Sequence, residues 1–183
     1  IWNNNYVEAS RIYGEINTWD VSSITDFSGL FHNAGSFNSD ISNWDVSSGT
    51  NFGSMFNDAD AFNQDIGSWD VSSGTDFSYM FYKADVFNQD IGSWDVSSGT
   101  YFNNLFARAT AFNQDISNWD VSNVENMDYM FSGAISFNQP IGNWDVSNVK
   151  NMYRMFSNIT SIGIVAFVGT YEHDYAESTS FNQ

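Results

Sequence analysis

The sequence predicts an α/β repeat fold, a solenoid of about six 25-residue units with a parallel strand on one side and a short helix on the other. Two observations carry this expectation. Trp19, Trp44, Trp69, Trp94, Trp119 and Trp144 stand 25 residues apart, and each opens a Trp-Asp-Val-Ser string. Within each unit the apolar residues follow two periods, one of two residues and one close to 3.6.

The strand is read first. Each unit is counted from its Ile (Ile16, Ile41, Ile66, Ile91, Ile116, Ile141), which takes place 1. Trp at place 4 and Val at place 6 then alternate with Asp and Ser, as on a half-buried strand. Places 12, 15, 16 and 19 are spaced i, i+3, i+4, i+7, which predicts one face of a helix. In the third unit that face is Phe77, Met80, Phe81 and Ala84, with Thr75-Asp76 as its N-terminal cap. A strand and a helix this short cannot stand alone, so each unit needs its neighbours.

Place 22 is Phe37, Phe62, Phe87, Phe112 and Phe137, each followed by Asn. Stacked amide side chains can bond both backbone and one another, so the Asn row is expected to satisfy backbone groups at a turn.

Composition narrows the function classes. With 42% hydrophobic and 18% aromatic residues the chain has enough apolar material to fold despite a net charge of −17. Five Lys and Arg against 22 Asp and Glu would repel a phosphate backbone, so nucleic acid is not an expected partner. There is no cysteine, so stability must come from packing. No apolar run approaches the ~18 residues of a membrane span, so membrane insertion by this chain is not expected either.

The string from Phe137 to Val149, Phe-Asn-Gln-Pro-Ile-Gly-Asn-Trp-Asp-Val-Ser-Asn-Val, continues with Asn151-Met152 and Met155-Phe156. It follows the leucine-rich-repeat outline, with Trp, Phe and Met where leucine is usual. It resembles the repeat of BspA-like surface proteins, which also occurs in lipoproteins of wall-less bacteria and in marine microbial surface proteins. The resemblance covers residues 16 to 161. It implies an extracellular or cell-surface module for adhesion or protein binding, with no catalytic residues.

The organisation expected is an N-terminal cap over residues 1–15, repeats over 16–161, an insertion over 162–180, and the start of a further repeat or docking end at 181–183. Bare apolar ends call for a cover, so two functions are expected. One is an adhesion or protein-interaction module. The alternative is a structural subunit of an extracellular filament or sheath, self-associating end to end. An enzyme is not expected.

Candidate sites follow from the rows. The Asp row at place 5, with Asp45, Asp70, Asp95 and Asp120 at its centre, would set carboxylates ~4.8 Å apart. Each neighbouring pair would then repel by about 0.9 kcal/mol in water. Either calcium bridges them, as the only cofactor the sequence suggests, or each Asp bonds its own Ser turn. Asp40, Asp65, Asp90 and Asp115 form a second row, replaced by Pro140 in the last unit, which points to a turn role. Glu172, His173 and Asp174 are the candidate binding group of the insertion, and Asn158 opens the sequon Asn158-Ile159-Thr160. The Trp row is read as a core ladder, and carbohydrate stacking on it is the weaker reading. Thr25, Thr50, Thr75 and Thr100 are read as helix caps.

Overall fold

A computed structural model describes residues 6–159. It overturns the α/β expectation. Among the described residues the regular elements are one α-helix, α1 (Tyr6–Tyr13), and one 3-10 turn, Ile16–Thr18. Among the described residues there is no strand and no sheet. One isolated parallel bridge per neighbouring pair links Asp26 to Asn51, Asn51 to Asp76, and so on to Asn151. The chain is therefore not a leucine-rich-repeat-type α/β solenoid, and the 25-residue unit is built almost wholly from turns.

The predicted helix fails because the backbone resets every four residues. Places 14 and 18 lie in the left-handed region in every unit, from Gly29 (φ 63) and Asn33 (φ 57) to Arg154 (φ 51) and Asn158 (φ 59). A right-handed helix cannot pass through such residues. Between them, amides at places 15, 17 and 19 close turns on carbonyls three residues back, such as Met80 on Phe77 at 3.2 Å and Ala84 on Phe81 at 3.1 Å. The amides at places 12, 14, 16 and 18 reach instead to the next unit. Phe77, Tyr79, Phe81 and Lys83 donate to the carbonyls of Tyr101, Asn103, Leu105 and Ala107 at 2.9 to 3.0 Å. The apolar spacing is real, but it belongs to a four-residue turn period.

The predicted strand fails for a related reason. Trp-Asp-Val sits between two turns, closed in the third unit by Trp69 N–H to the Ile66 carbonyl and by Gly74 N–H to the Val71 carbonyl. The Asp side chain itself turns the chain, as described below, so extension ends after three residues. Thr75 is no helix cap either. Its amide donates to the Thr50 carbonyl at 2.8 Å, and its hydroxyl to the same atom at 3.1 Å.

Burial follows the repeat. Phe52, Phe56, Phe62, Phe77, Phe81, Phe87, Phe102, Phe106 and Phe112 are fully or almost fully buried, and like places stack from unit to unit apart from Phe77 and Phe102, which meet edge to face at 82°. Phe56 lies 5.6 Å from Phe81 at 7°, Phe81 lies 5.7 Å from Phe106 at 1°, and Trp44 lies 6.5 Å from Trp69 at 4°. Such offset pairs add about 0.5–1.5 kcal/mol each beyond the area they bury. The aromatic columns thus hold the units in register together with the backbone bonds that cross each junction.

Candidate functional site

The rows singled out from the sequence occupy defined positions. Each place-5 Asp is exposed and accepts hydrogen bonds from the Ser two residues on. Asp45 Oδ1 takes the Ser47 amide at 3.1 Å and its hydroxyl at 2.6 Å, and Asp95 takes those of Ser97 at 3.0 and 2.6 Å. Asp70 does the same with Ser72, and Asp120 accepts the Ser122 amide at 3.0 Å. These bonds hold the carboxyls of Asp20, Asp45, Asp95, Asp120 and Asp145 below the ordinary carboxylate range. Repulsion from a neighbouring Asp is the smallest cause wherever it acts. The place-25 row is built likewise, with Asp65 Oδ1 on the Gly67 amide and Asp90 Oδ1 on the Gly92 amide. Among the described residues no three His, Asp or Glu gather where they could hold a metal ion.

The Asn row ties the units together. Asn63, Asn88, Asn113 and Asn138 each donate their amide to the side-chain oxygen of the Asn one unit back, at 2.8 to 2.9 Å. Gln64, Gln89, Gln114 and Gln139 bond the same Asn residues from the side. Trp44, Trp69, Trp94 and Trp119 are 4% exposed, and the indole of each donates to the carbonyl of the preceding unit's Ile. Trp144 does so as well, whereas Trp19 is 36% exposed and bonds the Tyr13 carbonyl. Asn158 is exposed in a left-handed conformation (φ 59). Glu172, His173 and Asp174, the 162–180 insertion, residues 181–183 and Thr160 of the sequon lie outside the described residues.

With these rows engaged in turns, ladders and core, the side chains that vary most along the tandem turns are those at places 13, 14, 17 and 18. Place 11 joins them, where Asp26, Asn51, Asp76, Asn126 and Asn151 each accept the amide two residues on and Tyr101 departs. Place 14 reads Gly29, Ser54, Tyr79, Asn104, Tyr129, Arg154, and place 18 reads Asn33, Asp58, Lys83, Arg108, Gly133, Asn158. All five tyrosines between residues 16 and 159 fall on this strip: Tyr79, Tyr82, Tyr101, Tyr129 and Tyr153. Three of the chain's five cations, Lys83, Arg108 and Arg154, join them. Tyr79, Tyr101 and Tyr153 are 38%, 46% and 44% exposed.

The strip is organised by ring and charge contacts. Tyr79 and Tyr82 lie 5.7 Å apart, and Tyr129 and Tyr153 meet edge to face at 5.4 Å. Lys83 Nζ lies 5.2 Å from the Tyr82 ring and 2.9 Å from Asp58 Oδ1, and the Arg154 guanidinium lies 5.1 Å from the Tyr153 ring. Asp128 sits on the strip with Oδ1 buried and without a hydrogen-bond partner. Burial pushes its carboxyl up. Burial, then Asp128, Tyr82 and Tyr129, push the Tyr79 phenol up.

Reading the repeat for what recurs draws attention away from this strip. The signal that finds it is the reverse one, the places where six otherwise matched units differ.

Searches of curated proteins and of solved structures found no match. A family model described as "Mycoplasma protein of unknown function, DUF285" matches residues 2–114 and again 90–183. Together these matches span nearly all of the repeat, and the chain belongs to that family of repeat proteins.

Proposed function

We propose that this chain is a non-catalytic protein-binding module at the cell surface or outside the cell, and that it engages its partner through the tyrosine strip. The observation that carries the reading is the gathering of Tyr79, Tyr82, Tyr101, Tyr129 and Tyr153 on one outer face. Tyrosine offers a large, rigid contact area with a polar tip at little entropic cost, and together with Arg it is enriched where proteins bind one another. Asn, Ser and Gly fill most of the remaining strip positions and supply adaptable hydrogen bonding. Lys83, Arg108 and Arg154 stand on the strip beside Asp26, Asp58, Asp76 and Asp128, so it is close to neutral in a chain of net charge −17 and offers groups of both signs to a partner. The likeness of the motif to the BspA-like repeat supports the surface location.

The test uses beads coated with the full chain and layered on a monolayer of epithelial cells. Wild-type beads are expected to adhere, and beads carrying Tyr79→Ser, Tyr129→Ser and Tyr153→Ser together are expected to lose about tenfold or more of that adherence. Equal adherence of wild-type and variant beads, or none by the wild type, would overturn the reading. A thermal melt of the variant matching the wild type shows that the fold is kept. Location is checked separately, by protease treatment of intact source cells.

A further inference from the structure

Asp128 is set apart from the other acids of the repeat. Each Asp at places 5, 11 and 25 accepts the amide two residues on, as Asp76 accepts that of Ser78 at 2.8 Å and Asp115 that of Ser117 at 3.0 Å. Asp128 stands at place 13, where the matched residues are Ser28, Gly53, Ser78, Asn103 and Tyr153. The amide two residues beyond it, that of Met130, closes on the Met127 carbonyl at 3.2 Å instead. Oδ1 of Asp128 is thus buried with no donor, while the residue as a whole keeps part of its surface open. Among the described residues no Lys or Arg pairs with it. A carboxylate oxygen withdrawn from water without a donor is costly to hold, so its persistence calls for a reason.

The tyrosines around it supply one. They form two pairs, Tyr79 with Tyr82 and Tyr129 with Tyr153, and the outer member of each pair already has a cation of this chain over its ring. Lys83 lies over Tyr82 and the Arg154 guanidinium over Tyr153. Among the described residues the inner members, Tyr79 and Tyr129, have none. They occupy place 14 two units apart, on either side of Asn104, which is 8% exposed. The Asp128 charge and the Tyr129 phenol both act on the Tyr79 phenol, so the three groups lie within electrostatic reach of one another. The strip therefore carries cations at its two ends and an unpaired acid among aromatic rings at its centre.

We infer that Asp128, Tyr79 and Tyr129 form a receptor site for an arginine side chain of the partner. A guanidinium supplies the donors that the carboxylate lacks, and its plane stacks on tyrosine, as that of Arg154 does on this same strip at 5.1 Å. It is also more weakly hydrated than an ammonium, which suits a site among rings. The inference rests on the strip being the binding face and adds the group it selects.

Tyrosine-ring NMR signals of the full chain, titrated with the blocked peptide acetyl-Gly-Arg-Gly-amide, test this. Salt is kept at about 0.15 M, where long-range attraction to an acidic chain is screened. Saturable shifts are expected at Tyr79 and Tyr129. The same peptide with citrulline, planar but uncharged, is expected to bind about tenfold more weakly or not at all. Asp128→Asn is expected to weaken the arginine peptide by about as much, and Asp95→Asn, at an exposed acid of the Ser turns, to leave it unchanged. Asp128→Ser, matching Ser28 and Ser78 at that place, repeats the test should the Asn variant not fold. Shifts that do not saturate, equal binding of the citrulline peptide, full binding by the Asp128 variants, or equal loss in the Asp95 variant would each overturn the inference. Bead adherence separates it from the reading it rests on. If Asp128→Asn beads adhere like wild type and the tyrosine-variant beads do not, the arginine site falls and the strip stands. Wild-type beads that fail to adhere remove the strip reading, and the peptide titration still decides the site.

Discussion

Gly74 and Phe77 are fitted to one another: a Cβ added at Gly74 would fall 2.4 Å from Cζ of Phe77 and 2.9 Å from the Val71 carbonyl oxygen. The same holds for Gly49 with Phe52 at 2.5 Å and for Gly99 with Phe102 at 2.4 Å. Where place 9 carries Val instead, in Val124 and Val149, place 12 carries the slender Met127 and Met152. Only in the first unit do Ile24 and Phe27 coexist, and there Ile24 turns 37% of its surface to solvent. Volume is thus shared between places 9 and 12 in each buried unit.

Gly74→Val is therefore expected to destabilise by about 1–3 kcal/mol through overpacking. Gly74→Val with Phe77→Met recreates the Val124 and Met127 pair, and should recover most of that loss. A double-mutant cycle by urea unfolding measures the coupling, and additive effects of the two changes would sink the idea.

Ser54 lies at φ 56 in the segment whose apolar spacing reads as a helix. In a helix, Ser→Gly would be the more damaging change and Ser→Val the milder one. At a left-handed position the order reverses. Ser54→Gly is expected to be neutral or stabilising, and Ser54→Val to cost about 1–2 kcal/mol. Thermal midpoints of the two variants decide which order holds.

The Trp69 indole is buried and donates to the Ile41 carbonyl at 3.2 Å. Trp69→Phe removes one of the two hydrogen bonds to that carbonyl, which keeps the Trp44 amide at 3.1 Å, and opens space beside the ring, for an expected loss of about 1–3 kcal/mol. Trp19→Phe, at the exposed edge, should cost less. Equal losses in chemical denaturation would count against the ladder.

Acid should unfold the protein through its Asp turns. Carboxyls held low in the folded chain stabilise it fully above their unfolded value of about 3.9, and that stability is lost as pH falls through the folded value. Asp20, Asp26, Asp45, Asp95, Asp115, Asp120 and Asp145 act in this sense, while Asp85 and Asp128, pushed up by burial, act in the opposite one. Removing the hydroxyl donors with Ser47→Ala and Ser97→Ala should move the acid transition, followed by tryptophan fluorescence, to higher pH. Because Ser donors already engage the carboxylates, chelator should leave the thermal midpoint of the wild type unchanged. A clear drop would revive calcium bridging.

Much of the molecule is legible in the residues alone. The 25-residue register, the inward places of Trp, Phe and Met, and an amide ladder at Asn63, Asn88 and Asn113 all follow from spacing and side-chain chemistry. The alternation of Gly and Val at place 9 is visible too, although its reason, the ring at place 12, is not. The tyrosine strip is harder to see, because its signal is departure from the repeat.

What the sequence by itself determined is which side chains face inward and how far apart equal units recur. Whether the apolar run from place 12 to place 19 coils as a helix was decided by tertiary structure. Over eight residues a period of 3.6 and a period of four select the same apolar places, so the pattern is silent between them. The choice falls to the backbone. With a neighbouring unit's carbonyls within 3 Å, the amides of Phe77, Tyr79, Phe81 and Lys83 bond across the stack. The left-handed residues that this requires become tolerable only because the packed neighbours hold them there.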